Sequence, residues 1–267
     1  MLELVMNGES LPYKSWKFPA GEIGIKLPIF KEYDKINIVA TMPSSDELFM
    51  MFNMLDALYR QGIPRENIDL YIPYMPYGRQ DRACHEGESF ALCVFGQMLK
   101  AFPHYNNIYV KDMHSEVTHH VLATYGMQFN HMPQSACAMY LPKFDALIAP
   151  DKGAADKVKT HYQVSALGVP CYTLLKERKD GKVAYVDFAY DTIKGNVCVV
   201  DDICDGGATF LALAEMLVRT QPNMKVLNLY VTHGIFSKGT DELDKFYDTI
   251  YVHNNMNDFV EGQVTII

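Results

Sequence analysis

The chain has 267 residues, 49% hydrophobic and 21% charged, an ordinary globular composition that suits one large core or two smaller ones. Its formal net charge of -8 argues against nucleic acid or an anionic membrane as the main partner, so any phosphate it binds is held by local geometry or by a metal ion. No apolar run reaches membrane-span length, no signal peptide is visible, and the six cysteines form no C-x-x-C and read as reduced apolar fillers, so the expected compartment is the cytoplasm.

Residues 1–27 hold the sole tryptophan, the fragment K-F-P-A-G-E with Phe18 and Glu22, and an alternating I-G-I-K-L that predicts a short strand. Residues 36–40 form a β-rich apolar run. Ser44 with Glu47 predicts a capping box, and Leu48, Met51, Phe52, Leu55 and Leu58 then recur at helical spacing up to Arg60. Pro64 turns the chain into a second strand over 68–72, and a strand-helix-strand crossover of this length implies a parallel, right-handed unit.

The loop that follows, P-Y-M-P-Y-G-R-Q-D-R over residues 73–82, is dense in proline, tyrosine and charge. Loops at strand ends carry function more often than stability. Arg79 and Arg82 flank Gln80 and Asp81, a pattern suited to a bidentate grip on phosphate, and the Gln80 amide suits a base edge. On spacing alone, the alternative is a solvated loop with an internal Arg-Asp pair. A helix is predicted over 89–102 and a strand over 107–110. Asp112, His114 and Glu116 then fall two apart, on one side of an extended chain, where a carboxylate and an imidazole can hold a divalent ion bridging phosphates. His119 and His120 sit at the wrong offset from His114 and read as structural or surface.

The pattern weakens between residues 125 and 142, and a junction near residue 135 divides the chain into 1–135 and 136–267. The second part opens with a strand over 146–149, then P-D-K-G with Asp151, then a helix to about Tyr162. A strand over 171–175 leads into K-E-R-K-D-G, a basic hairpin tip carrying Lys176 and Arg178, before a run over 182–188. Residues 197–209 read V-C-V-V-D-D-I-C-D-G-G-A-T. Here a buried strand ends in the adjacent Asp201 and Asp202 and passes through Asp205 and small residues into a helix. Open α/β sheets place ligands at the carboxyl ends of their parallel strands. Gly206, Gly207 and Ala208 leave the backbone bare, so N–H groups at the helix start can point at a phosphate, and Thr209 adds a hydroxyl. Neither a Walker A loop nor G-x-G-x-x-G occurs. Strands over 225–232 and 249–252 complete an alternation that predicts two α/β units.

The 197–209 stretch resembles the phosphoribosyl-pyrophosphate signature of type I phosphoribosyltransferases and of ribose-phosphate pyrophosphokinases. Taken in order, K-F-P-A-G-E, R-Q-D, D-M-H, P-D-K-G, K-E-R and D-D-I-C-D-G-G-A-T resemble the motifs of the ribose-phosphate pyrophosphokinase family over most of the chain. The resemblance implies an α/β fold of two phosphoribosyltransferase-like (type I) domains with mainly parallel sheets, ATP on the first and ribose phosphate on the second. It also implies a homo-oligomer that uses Mg2+ and transfers the diphosphoryl group of ATP to the anomeric hydroxyl of ribose 5-phosphate, releasing AMP, for nucleotide biosynthesis.

By motif, Phe18 and Glu22 are implied to contact adenine from a neighbouring subunit, and Arg79, Gln80 and His114 to bind ATP. Asp112, His114 and Asp151 are implied to serve the metal, and Lys176 and Arg178 to form the catalytic loop. Asp201, Asp205, Gly206, Gly207, Ala208 and Thr209 are implied to hold the ribose phosphate; on chemical grounds Asp202 beside them joins in fixing the ribose hydroxyls and is a weak candidate for a general base. The chain departs from the family pattern at Ala20, in place of the aspartate of F-x-D-G-E, at Ala154 and Glu177, and in D-G-G-A-T where D-T-G-G-T is usual. The threonine missing at Gly206 opens a second reading, the same transfer onto a ribose with a larger 5′ group, such as ADP-ribose in NAD salvage. A third reading is a non-catalytic regulatory relative, against which the retention of Lys176, Arg178, His114 and Asp151 stands.

Overall fold

The computed structural model describes residues 2–41, 44–127, 129–165, 169–174, 176–179, 182–185, 193–257 and 262–267, with backbone alone for 159–165, 176–179 and 182–185. They form two compact units, Met1–Met132 and Pro133–Ile267. No helix among the described residues is long and apolar enough to cross a membrane.

The first unit opens with β1 (Leu2–Met6) and β2 (Glu9–Leu11), an antiparallel pair joined by Asn7 and Gly8. Both turn residues have positive φ, 54° and 82°, as a tight primed turn requires. A separate antiparallel hairpin pairs β3 (Lys14–Lys17) with β4 (Ile23–Lys26). The predicted crossover follows: β5 (Ile36–Ala40), α1 (Ser45–Arg60) and β6 (Ile68–Tyr71), with the two strands parallel from Ile36 opposite Ile68. At the start of α1, the Ser44 hydroxyl accepts from the Glu47 N–H at 3.2 Å and the Glu47 carboxylate accepts from the Ser44 N–H at 2.9 Å. Leu48, Met51, Phe52, Leu55 and Leu58 are buried as the helical period demands, and Met54 joins them. The unit continues through α2 (Ala91–Ala101), β7 (Asn107–Lys111), α3 (Glu116–Thr124) and β8 (Phe129–Met132). Its sheet has the order β2-β1-β5-β6-β7-β8, parallel from β5 onward.

The second unit runs through α4 (Gln134–Cys137), β9 (Ala146–Ala149), α5 (Lys152–Ser165) and β10 (Cys171–Thr173). It then forms the hairpin β11 (Lys176–Lys179) and β12 (Lys182–Tyr185), followed by β13 (Gly195–Cys204), α6 (Ala208–Thr220), β14 (Met224–Gly234), β15 (Thr249–Asn255) and β16 (Val264–Ile266). Six strands pair in the order β10-β9-β13-β14-β15-β16, every neighbour parallel. Central β13 is covered on both faces. Val197 and Val199 share a core with Phe210, Leu213 and Leu217 of α6, while Cys198 and Val200 pack with Ala154, Ala155 and Val158 of α5. Double burial is why V-C-V-V reads as an unbroken apolar run and not as an alternation.

Several expectations change. The strand does not end at Asp201 and Asp202 but carries them within its last turn of pleat and stops at Cys204. Lys176 and Arg178 lie on the outgoing arm of a hairpin, paired with Tyr185 and Val183, and not at its tip; residues 180 and 181 lie outside the described residues, as do 186–188 of the run predicted over 182–188. Strands β1 to β3, β8 and β16 had no counterpart in the sequence reading.

Leu55 is fully buried. Its replacement by alanine is expected to destabilise the protein by about 2–5 kcal/mol, whereas Ser44→Ala, which removes only a cap, should lose about 1 kcal/mol. Urea unfolding of both variants checks the ranking, and a smaller loss for Leu55→Ala than for Ser44→Ala would contradict the packing of α1.

Candidate active site

The end of β13 collects the acids of the second unit. Asp202 is buried, and its Oδ2 accepts from Lys157 Nζ of α5 at 3.0 Å. The Asp201 Oδ1 accepts from the Asp202 N–H at 2.8 Å, and the Asp201 carbonyl accepts from Gln134 Nε2 at 2.9 Å. Asp201 keeps some exposed surface, yet its carboxyl is ringed by protein. Burial, reinforced by the charges of Asp202 and Asp151, pushes it well above the usual carboxylate range. Of the two neighbours, Asp202 has the cationic partner, Lys157, and Asp201 is the one whose carboxyl is pushed up. Asp151 caps α5: its Oδ1 accepts from the Ala154 N–H at 3.0 Å. The Cys204 thiol, also enclosed, is pushed up to about 12, which keeps it an inert filler at neutral pH.

Beyond Cys204 the chain turns through Asp205 and Gly206 to Gly207, which precedes α6 with φ 76° and no side-chain cap. A residue with a Cβ is strained there, and one would also meet the Leu243 side chain at 3.4 Å. The helix thus starts without a side-chain cap from Gly207, a feature shared with anion-binding helix starts. Asp205 is tied down from another element, since Ser237 Oγ donates to its Oδ1 at 2.6 Å. Asp201, Asp202, Asp205, Gly206, Gly207, Ala208 and Thr209 thus share one continuous strand-to-helix corner.

In the first unit, the 73–82 loop is organised around Asp81. Arg82 grips it bidentately, Nε to Oδ1 at 2.7 Å and Nη2 to Oδ2 at 2.9 Å, and Ser115 Oγ donates to Oδ2 at 2.7 Å. The Arg82 hydrogen bonds hold this carboxyl below its usual range, with Ser115 and the nearby His114 adding to the effect. Arg82, although exposed, is therefore the internal partner of Asp81, and Arg79 and Gln80 are exposed as well. Asp112 and His114 belong to the segment that Ser115 anchors, but the expected one-sided row does not form. Asp112 adopts φ 33°, is buried and donates its N–H to the Met132 carbonyl at 2.7 Å, His114 is exposed, and Glu116 already begins α3. The extended geometry that would align them is lost at Asp112. Among the described residues no group of three or more His, Cys, Asp and Glu converges on a point. Phe18 and Glu22 lie on the β3–β4 hairpin, whose tight loop is closed by the Phe18 N–H donating to the Glu22 carbonyl at 2.8 Å; the Phe18 ring is exposed and meets Trp16 edge-on.

Ser115, Lys157 and Ser237 were missed by sequence reasoning. Each acts through a partner distant in the chain.

No family model matches the chain. Over 247 residues, however, it is 31% identical to the ribose-phosphate pyrophosphokinase of Pyrococcus furiosus, covering 90% of this chain and 84% of that one. The chain belongs to the ribose-phosphate pyrophosphokinase family. The Pyrococcus abyssi ribose-phosphate pyrophosphokinase is 30% identical over 245 residues, 90% of this chain and 82% of that one. A solved phosphoribosylpyrophosphate synthetase from Mycobacterium smegmatis has the same fold, with a TM-score of 0.76 over 98% of this chain and 87% of that chain at 20% identity. Members of the ribose-phosphate pyrophosphokinase family are transferases, and the fold is the α/β, mainly parallel one of type I phosphoribosyltransferases.

Burial holds the Asp201 carboxyl above its ordinary range. A carboxyl whose folded pKa lies above its unfolded value contributes stability fully below the unfolded value, about 3.9, and loses it as pH rises through the folded value. Asp201→Asn removes that loss. The ligand-free variant should therefore gain thermal midpoint over the parent, by a margin that widens as pH rises above about 4. Thermal scans across pH test this; a margin that narrows as pH rises would contradict the burial of the carboxyl.

Proposed function

We propose that this enzyme transfers the β,γ-diphosphoryl group of Mg-ATP to the anomeric hydroxyl of ribose 5-phosphate, giving phosphoribosyl pyrophosphate and AMP. The observation that carries this reading is the β13–α6 corner. An acid pair at a parallel strand end passes into a bare-backbone turn and an uncapped helix start, as a ribose bearing a 5′-phosphate needs. Asp201 and Asp202 hold the ribose hydroxyls, and Asp205, Gly206, Gly207, Ala208 and Thr209 hold the phosphate. Arg79, Gln80 and His114 bind ATP, while Phe18 and Glu22 serve the adenine of a neighbouring subunit in a homo-oligomer.

In the reaction the anomeric oxygen forms a bond to the β-phosphorus as the bond from that phosphorus to the bridging oxygen of AMP breaks, the electron pair leaving with AMP. Phosphoryl transfer of this kind depends on positioning and charge neutralisation more than on covalent catalysis. Asp202 is the candidate acceptor of the hydroxyl proton, since its carboxylate is paired with the Lys157 ammonium whereas burial pushes the Asp201 carboxyl up. Lys176 and Arg178 stabilise charge on the transferred group and the departing AMP.

Mg2+ takes hard oxygen donors and keeps much of its shell as water and phosphate oxygen. Each unit offers candidate oxygen donors of that kind, the buried carboxylate of Asp112 with His114 nearby in sequence in the first and the partly buried carboxylate of Asp151 in the second. Bound there, the ion would supply neutralisation of the phosphate oxygens.

The test is AMP release from Mg-ATP with ribose 5-phosphate and, separately, with ADP-ribose. Acceptor-dependent AMP is expected with ribose 5-phosphate, falling by roughly 100-fold or more in Lys176→Ala. Turnover with ADP-ribose alone would overturn the acceptor, and no AMP with either would overturn the reaction.

A further inference from the structure

We propose that Lys238 is an anion-binding residue of the acceptor site, lying at the phosphate loop beside Gly206. The proposal rests on the reading of residues 205–209 as the ribose-phosphate loop. A Cβ placed on Gly206 would find Lys238 as its three nearest neighbours, Cδ and Cε at 3.5 Å and Cγ at 3.8 Å. A side chain at residue 206 would therefore be in ordinary contact with the lysine stem, which lies beside the turn that leads into α6.

The segment that carries Lys238 is anchored on both sides. Phe236 is fully buried with φ 46°; its N–H donates to the Cys204 carbonyl at 3.1 Å, and its own carbonyl accepts from Asn257 Nδ2 at 2.9 Å. Its ring covers Gly234, where a Cβ would stand 2.1 Å from Cε2, so no larger residue fits below it. Ser237 is bonded to Asp205, and the Gly239 N–H closes the turn onto the Phe236 carbonyl at 2.9 Å. Lys238 is exposed between these fixed points, and no ion pair holds its ammonium among the described residues.

The chemistry also calls for a cation. Asp201, Asp202 and Asp205 crowd this corner, and backbone N–H groups offer an anion only partial charges. A lysine supplies a full positive charge on a flexible stem. Its ligand is a phosphate on ribose C5, either the monoester of ribose 5-phosphate or the diphosphate of a larger 5′ group such as that of ADP-ribose.

Two variants separate charge from packing: Lys238→Met keeps the stem, and Lys238→Arg restores the charge. Binding of inorganic phosphate to the full-length protein, measured by calorimetry, does not depend on turnover. The methionine variant should bind it about 10-fold more weakly and the arginine variant nearly as well as the parent, the size expected for one charge-assisted contact. In steady-state assays the loss in Lys238→Met should fall on the acceptor KM and not on the ATP KM. A rise with both acceptors places Lys238 at the first phosphate, and a rise with ADP-ribose alone places it at the second. Equal phosphate affinity in parent and methionine variant, or no phosphate binding by the parent, overturns the proposal. Weakened phosphate binding without acceptor-dependent AMP in the parent upholds Lys238 as an anion contact and overturns the ribose-phosphate reading instead.

Discussion

Burial of β13 on both faces is the constraint on which the candidate site depends. Val197 and Val199 fill one core and Cys198 and Val200 the other, with a helix closing each side. A slip of one residue would carry Asp201 or Asp202 toward a position now held by a valine, and an unpaired carboxylate in such a core costs far more than any pairing could return. The register is therefore locked, and with it the point where the strand gives way to Asp205, Gly206 and Gly207. Everything a phosphate would meet is set by where two hydrophobic layers end.

A chain with net charge -8 must still present a site for anions. It does so by neutralising its carboxylates one at a time, each by different means. Asp202 is paired with Lys157, the Asp201 carboxyl is pushed up because it is enclosed beside another acid, Asp205 accepts from Ser237, and Asp81 is gripped by Arg82 and Ser115. What remains to face a ligand at the strand-to-helix corner is an uncapped helix start with a lysine beside it. The arrangement is local in its effect and leaves the overall acidity of the chain untouched.

Much of the fold was legible because its causes are short-range. The capping box and apolar stripe of α1 lie within a few residues of one another, and the continuous apolar run of β13 announces burial on both faces. The hairpin at Asn7 and Gly8 was equally local but went unread, because the three residues of β2 are too short for a period to show. Asp112 failed for a different reason. Regular spacing implies a common side only while the backbone stays extended, and a positive φ at Asp112, with its N–H drawn to Met132, breaks that condition. Nothing in D-M-H-S-E reveals the turn.

By itself the sequence determined the order of the motifs, the family they belong to, and the strands and helices that carry them, since each is written in neighbouring residues through hydrogen-bond period and side-chain size. Only the tertiary structure decided which side chains neutralise the acids and which stand free to meet a ligand. Lys157 reaches Asp202 across 45 residues, Ser115 reaches Asp81 across 34 and Ser237 reaches Asp205 across 32. Lys238 comes to lie over Gly206 because the turn after β14 is held from below by the buried Phe236. Such contacts are made by the packing of parallel strands and their crossovers, and no local pattern in the chain encodes them.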